Sequence, residues 1–177
     1  MLLGIQIPSS AESKRSALKM QKQKIKDRLL SIPEEAYGPL YKEHYLDLYK
    51  LYYSTCDHIS DRRLKSNVFF LTLHTSIIAF TGYAANQVAL VSLAGIFLAV
   101  VWHFQIRAYK GLNKGKFTII HLLEEKLPLA LFDAEWLALE KGENSKTYLP
   151  FTQIEILIPW VFGALHLIAL IFSLFSN

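Results

Sequence analysis

The distribution of charge predicts an all-α integral membrane protein: three transmembrane helices, with a helical cytoplasmic domain built on long extensions of spans one and two. Three observations carry this. All 19 Lys/Arg and 15 Asp/Glu residues fall in two blocks, 1–65 and 107–155. The stretch 66–106 between them holds no acid or base except His74 and His103. After Glu155 the chain runs uncharged to Asn177, apart from His166. A helix crosses a bilayer with about 17–25 apolar residues, and lipid offers no partner to an unpaired backbone group, so each crossing must be helical.

The elements follow in chain order. Residues 1–38 form a basic cytoplasmic N-terminal arm and a short helix. Its Lys-rich part, 11–30, has only weak helical spacing (Leu18, Ile25, Leu29) and suits a solvated surface near anionic lipid headgroups. Ser31 and Glu34 have the spacing of a helix N-cap and its N3 partner. Gly38-Pro39 interrupts this helix, and Pro39 is placed to open the next. No breaker follows until Tyr83, so residues 39–66 form a cytoplasmic helix that continues into the first span, about 45 residues and on the order of 65 Å in all. Residues 67–104 are a transmembrane hairpin. Its turn falls at Ala84-Ala-Asn86-Gln87, giving spans near 67–85 and 88–104.

Residues 105–155 are a cytoplasmic helical segment. Span two continues inward through Arg107, Phe117 and Ile120 to Leu127, weakened at Gly111 and Gly115 and ended by Pro128. Asp133 reads as the N-cap of a short helix, Ala134 to Lys141, stopped by Gly142, with Phe132 and Leu137 as its hydrophobic staple. Residues 156–177 are the third transmembrane helix and tail. Thr152-Gln-Ile-Glu155 fits a capping box before it, with Phe151 and Ile156 as staple. No strand and no internal repeat is expected.

Lys and Arg number 12 before the first span and seven between spans two and three, with none in the hairpin turn or the tail. An excess of Lys/Arg marks cytoplasmic loops, which places the N-terminus inside the cell and the Asn86-Gln87 turn outside. The single Cys56 allows no intrachain disulfide and suggests no zinc cluster. The first residues lack a basic n-region and a long apolar run, and no lipidation motif is present.

Several residue patterns are candidates for function. Tyr41, Tyr45, Leu48, Tyr52 and Ile59 recur on one face of the long helix and need a packing partner. His74 and His166 lie at membrane depth, where a polar group faces protein or water rather than lipid. They suit interhelical hydrogen bonding between subunits or, more sharply, a proton-responsive, pore-lining pair. Ser92, Gly95 and Ala99 form a small-residue stripe that permits close helix contact. Asp57, Asp61, Arg62 and Arg63 cluster at the membrane edge, where the arginines are placed to pair with an acid of a neighbouring helix such as Glu124. Headgroup phosphate is the other partner for them. His121-Leu-Leu-Glu124-Glu125 lacks the spacing of a zinc protease site. Cys56 and His58 point to different faces and form no nucleophilic pair. No catalytic residue, cofactor or metal is expected, and nothing resembles a nucleotide or nucleic-acid site.

The run from Leu48 through Asp57-His-Ile-Ser-Asp61-Arg62-Arg63 to Asn67 and Thr75 resembles the RipA-type small membrane proteins of bacteria. So do Trp102 to Phe117, the Phe132-Asp133-Ala-Glu135-Trp136 segment, and Tyr148 to Glu155 with Pro159-Trp160. The resemblance spans roughly 48–163. It implies an inner-membrane protein that assembles as an octamer, a factor for proliferation of a pathogen inside host cells, and no catalytic residues. The expectation is therefore a non-enzymatic homo-oligomer of the bacterial inner membrane, acting as a scaffold or envelope-adaptation factor. Its partners are other copies of itself and the lipid bilayer. A channel or pore-forming protein is the alternative, and an enzyme acting on lipids is a third class.

Overall fold

The computed structural model describes residues 10–81 and 87–175. Most of the expected hairpin turn, and the extreme N-terminus, lie outside these residues. The described chain is all-helical: α1 (Ser10–Leu29), α2 (Glu34–Tyr37), α3 (Tyr41–Thr81), α4 (Val88–Glu124), α5 (Leu131–Ala138), a short 3-10 turn (Glu140–Gly142), α6 (Phe151–Glu155) and α7 (Leu157–Phe175). It divides into two compact units, residues 1–48 and 49–177.

The first unit holds α1, α2 and the start of α3. Ser31 does not cap α2: Pro33 occupies the N-cap position, without a side-chain hydrogen bond. Gly38, at φ +95°, makes the hard turn out of α2, a backbone region that costs glycine nothing. Around that turn Tyr37 bonds His44 Nδ1 at 2.8 Å and packs edge-on to Tyr41, which lies against Tyr45. Tyr41 and Tyr45 thus sit half-buried at the head of α3.

The second unit is built on two long helices. α3 runs unbroken for 41 residues, about 60 Å at 1.5 Å rise. α4 runs for 37 residues, passing through Gly111 and Gly115 without a break. They lie antiparallel, since Asn67 meets Trp102 and Tyr49 meets Glu124. Each presents a face at alternating three- and four-residue spacing. On α3 it is Tyr49, Tyr52, Cys56, Ile59, Arg63, Phe70 and His74; on α4, Ser92, Gly95, Ala99, Trp102, Ile106, Ile120 and Leu123. That spacing keeps one stripe facing its neighbour along a helix. The tyrosine stripe therefore continues, but through Tyr49: Leu48 is 63% exposed and points away.

α7 packs against both, antiparallel to α4 and parallel to α3, and the core forms where the three meet. Phe70, Trp102 and Ile106 are buried there, covered by Ile156, Ile158 and Phe162. The break between α6 and α7 at Ile156 has a local cause. Pro159 brings no N–H to the Glu155 carbonyl, and its ring crowds that carbonyl. Two helices, α4 and the α6–α7 segment, have both the length and the hydropathy to cross a membrane. The apolar part of α3 is diluted by Asn67, Thr72, His74, Thr75 and Ser76.

The glycines test this packing. A Cβ on Gly95 would lie 2.5 Å from the His166 ring, one on Gly163 would meet Ala99 at an ordinary 3.6 Å, and one on Gly111 would meet nothing within 4 Å. Gly95→Ala is expected to destabilise the protein sharply and Gly163→Ala to be tolerated. Gly111→Ala should stabilise by about 0.5–1 kcal/mol through helix propensity. Thermal unfolding of the three variants in mild detergent checks the order.

Candidate functional site

Polar side chains are buried in three layers along α3 and α4, the first closed by α7, the second by α6 and the third by the start of α5. At membrane depth, His74 Nδ1 and His166 Nε2 lie 3.1 Å apart, both rings buried. Two nitrogens share one proton, so one ring donates and the other accepts; two doubly protonated rings make no such bond. The His74 ring stacks between Trp102 and Phe162, with centroids 5.6 and 5.1 Å away. Gly95 lets the His166 ring rest directly on the α4 backbone. His74 Nε2 and Ser92 Oγ are buried with no hydrogen-bond partner among the described residues.

The middle layer is centred on Glu155, at the end of α6. Arg63 Nη2 bonds its Oε2, and Asn67 Nδ2 donates to its Oε1 at 2.9 Å. Asn67 Oδ1 accepts from Trp102 Nε1 at 3.0 Å. The orientation of the amide is fixed: its NH₂ faces a carboxylate, and its carbonyl faces a group that only donates. Arg63 Nη2 also donates to Thr152 Oγ1 at 2.8 Å. Burial pulls the Arg63 guanidinium below its ordinary pKa, and an arginine held against a carboxylate stays charged.

This layer replaces two expectations. Thr152 and Glu155 form no capping box: Pro150 is the N-cap of α6 without a side-chain bond, and both side chains turn to Arg63 instead. Arg63 pairs with Glu155 and not with Glu124, because Glu124 lies at the far end of α4. Asp57, Asp61 and Arg62 are exposed on the other faces of α3.

The third layer lies at that far end. Glu124 is 2% exposed although it stands at the negative end of the α4 dipole. It is held by the Tyr49 hydroxyl at 3.2 Å and by the backbone N–H groups of Phe132 and Asp133 at 3.0 and 3.2 Å. Those N–H groups open α5, so Glu124 caps a helix that Asp133 was expected to cap. Phe132 packs on Tyr53 and Phe117. Burial, then the Glu124 carboxylate, pushes the Tyr49 phenol up to about 12. One turn deeper, Lys116 bonds the Thr55 hydroxyl and lies 4.7 Å from the Tyr52 ring centroid, a cation–π contact.

The structure thus brings His74, Ser92, Gly95, Ala99 and His166 together inside one chain. Within the chain α7 covers them, because Gly95 and Ala99 admit it so closely. Tyr52 joins Lys116, while Tyr41 and Tyr45 stay in the first unit. Reading the sequence missed Asn67, Trp102, Lys116 and Thr55. Their signal was spacing: each lies on or beside the three-four stripe, but a search for apolar periodicity passes over polar residues. Among the described residues no group of three His, Cys, Asp or Glu is placed to hold a metal ion.

Arg63→Met strands the buried Glu155 carboxylate and is expected to cost about 3–5 kcal/mol, whereas Arg63→Met with Glu155→Met recovers most of it; unfolding in detergent measures both. Burial also pushes the Cys56 thiol up, against the opposing pull of Lys116 and Thr55. The thiolate is the reactive form, so native protein near neutral pH should react with iodoacetamide at least about tenfold more slowly than unfolded protein. Equal rates, read by mass spectrometry, would contradict this burial.

No match is found among curated proteins or among solved structures. Residues 46–175 match the model of a family described as the octameric membrane protein family (8xMP). The match begins three residues before the second unit and ends with the last residue of α7, so it takes in all three polar layers. With most of its length covered, and two helices fit to span a bilayer, this chain belongs to the octameric membrane protein family.

Proposed function

We propose that the protein assembles as a homo-octamer in the bacterial inner membrane and acts there as a non-enzymatic scaffold. Each copy crosses three times, with the N-terminus and residues 105–155 in the cytoplasm. The family match supports the assembly. The segregation of Lys and Arg supports the orientation. The observation that carries the scaffold reading is where the polar chemistry lies. His74, Glu124, Glu155 and His166 are all buried, and each bonds a neighbouring element of its own chain. Groups used in this way hold helices in register; a catalytic acid or base must instead reach a substrate.

A conduit through the assembly needs polar groups facing its axis, whereas the two histidines face each other. The resemblance to RipA-type proteins supports a role in adapting the envelope during growth inside a host cell.

Native mass measurement of the wild-type protein in mild detergent should return eight copies. A monodisperse monomer would end this reading. A reporter fused at Asn86 should read as external and one in residues 105–155 as internal. A deletion strain should grow normally in medium and poorly inside host cells, and Arg63→Met should fail to complement it.

A further inference from the structure

On the side of the bundle away from α3, α4 and α7 enclose an open groove of about 260 Å³. Ile96, Ala99 and His103 line it from α4; Trp160, Gly163 and Ala164 line it from α7. Its floor is made of small residues, and its cytoplasmic end is closed by Trp160 standing edge-on to His103, ring centroids 5.1 Å apart. His103 Nδ1 is buried without a partner among the described residues.

The opposite side of the bundle carries a ridge. Val68 and Phe69 are 54% and 60% exposed on α3, and Thr72, Ser76 and Ala79 continue the same outward face. The face is set by the other side of the helix, where Asn67, Phe70 and His74 are turned inward. Thr72 and Ser76 are small, and their hydroxyls gain from protein rather than lipid.

Groove and ridge lie at the same height. His74 pairs with His166 and Arg63 with Glu155, so a residue on α3 is level with the one 92 positions later on α7. Thr72 is therefore level with Ala164, and Phe69 lies beside the level of Trp160. In a ring whose axis is the membrane normal, every copy stands at one height, and only groups of equal depth meet. A closed ring also needs two different faces, one to give and one to receive.

We infer that the α4–α7 groove receives the α3 ridge of the next copy, joining subunits head to tail around the ring. Thr72 sits over Gly163 and Ala164, Ser76 lies one turn further along beside Leu167, and Phe69 sits by Trp160 and His103. This rests on the octameric reading above and names the faces that build it.

Disulfide trapping in membranes tests it in a Cys56→Ala background. Thr72→Cys with Ala164→Cys in the same chain should give an oxidation ladder rising to eight copies, and Phe69→Cys with Trp160→Cys should repeat it. Each single variant alone should give none. Dimers from Thr72→Cys alone would put α3 against α3 and overturn the inference. So would the absence of a ladder from both pairs while native mass still shows eight copies, with or without lipid retained in the groove. A monomeric wild-type protein would instead remove the octamer itself. Ala164→Trp, which fills the groove from a position exposed in the single chain, should dissociate the ring while leaving the thermal unfolding of the subunit intact. A ring that survives it also overturns the assignment.

Discussion

Gly95 sets how close α7 comes to α4, and the rest of the bundle depends on that approach. With no side chain there, the His166 ring rests on backbone. From that position its Nε2 reaches His74 on α3, so one contact ties three helices together. In lipid, helices gain little from hydrophobic burial, since the tails are as apolar as leucine. Close packing and interhelical hydrogen bonds must do the joining. The stack of Phe70, Trp102, His74 and Phe162 supplies the first, and the histidine pair supplies the second.

The Arg63–Glu155 layer then fixes rotation. A guanidinium bound to a carboxylate and a hydroxyl, with Asn67 and Trp102 completing the set, tolerates no slip of α3 against α6. Each polar atom used in this way would be costly if left bare at that depth. The arrangement therefore specifies one register more than it adds stability. Glu124 does the same at the far end, where a carboxylate from one helix holds the start of another.

The long helices and the third apolar segment were legible because they are matters of composition and of the absence of breakers. Tyr41 to Thr81 contains no proline or glycine, and 156–175 contains no charge. The caps were not legible. Ser31, Asp133 and Thr152 each satisfy a local pattern, yet none caps its helix in the structure, and Glu124 takes the place of Asp133. A local pattern reports a hydrogen bond that is available; it says nothing of a stronger partner arriving from another helix. Arg63 was read as a membrane-edge charge, but its partner is 92 residues away, beyond any spacing rule. Ser92, Gly95 and Ala99 stand out in the sequence as a small-residue stripe, and within the chain it is α7 that lies on them.

α4 has no proline in its 37 residues and stays helical across Gly111 and Gly115. It therefore acts as a stiff lever. From Ile106 to Glu124 it extends about 27 Å, so a change of about 5° in its tilt sweeps its end, with the α5 start clamped to it, through about 2 Å. Lacking a proline, the helix ties the position of that clamp directly to the tilt of its own buried part.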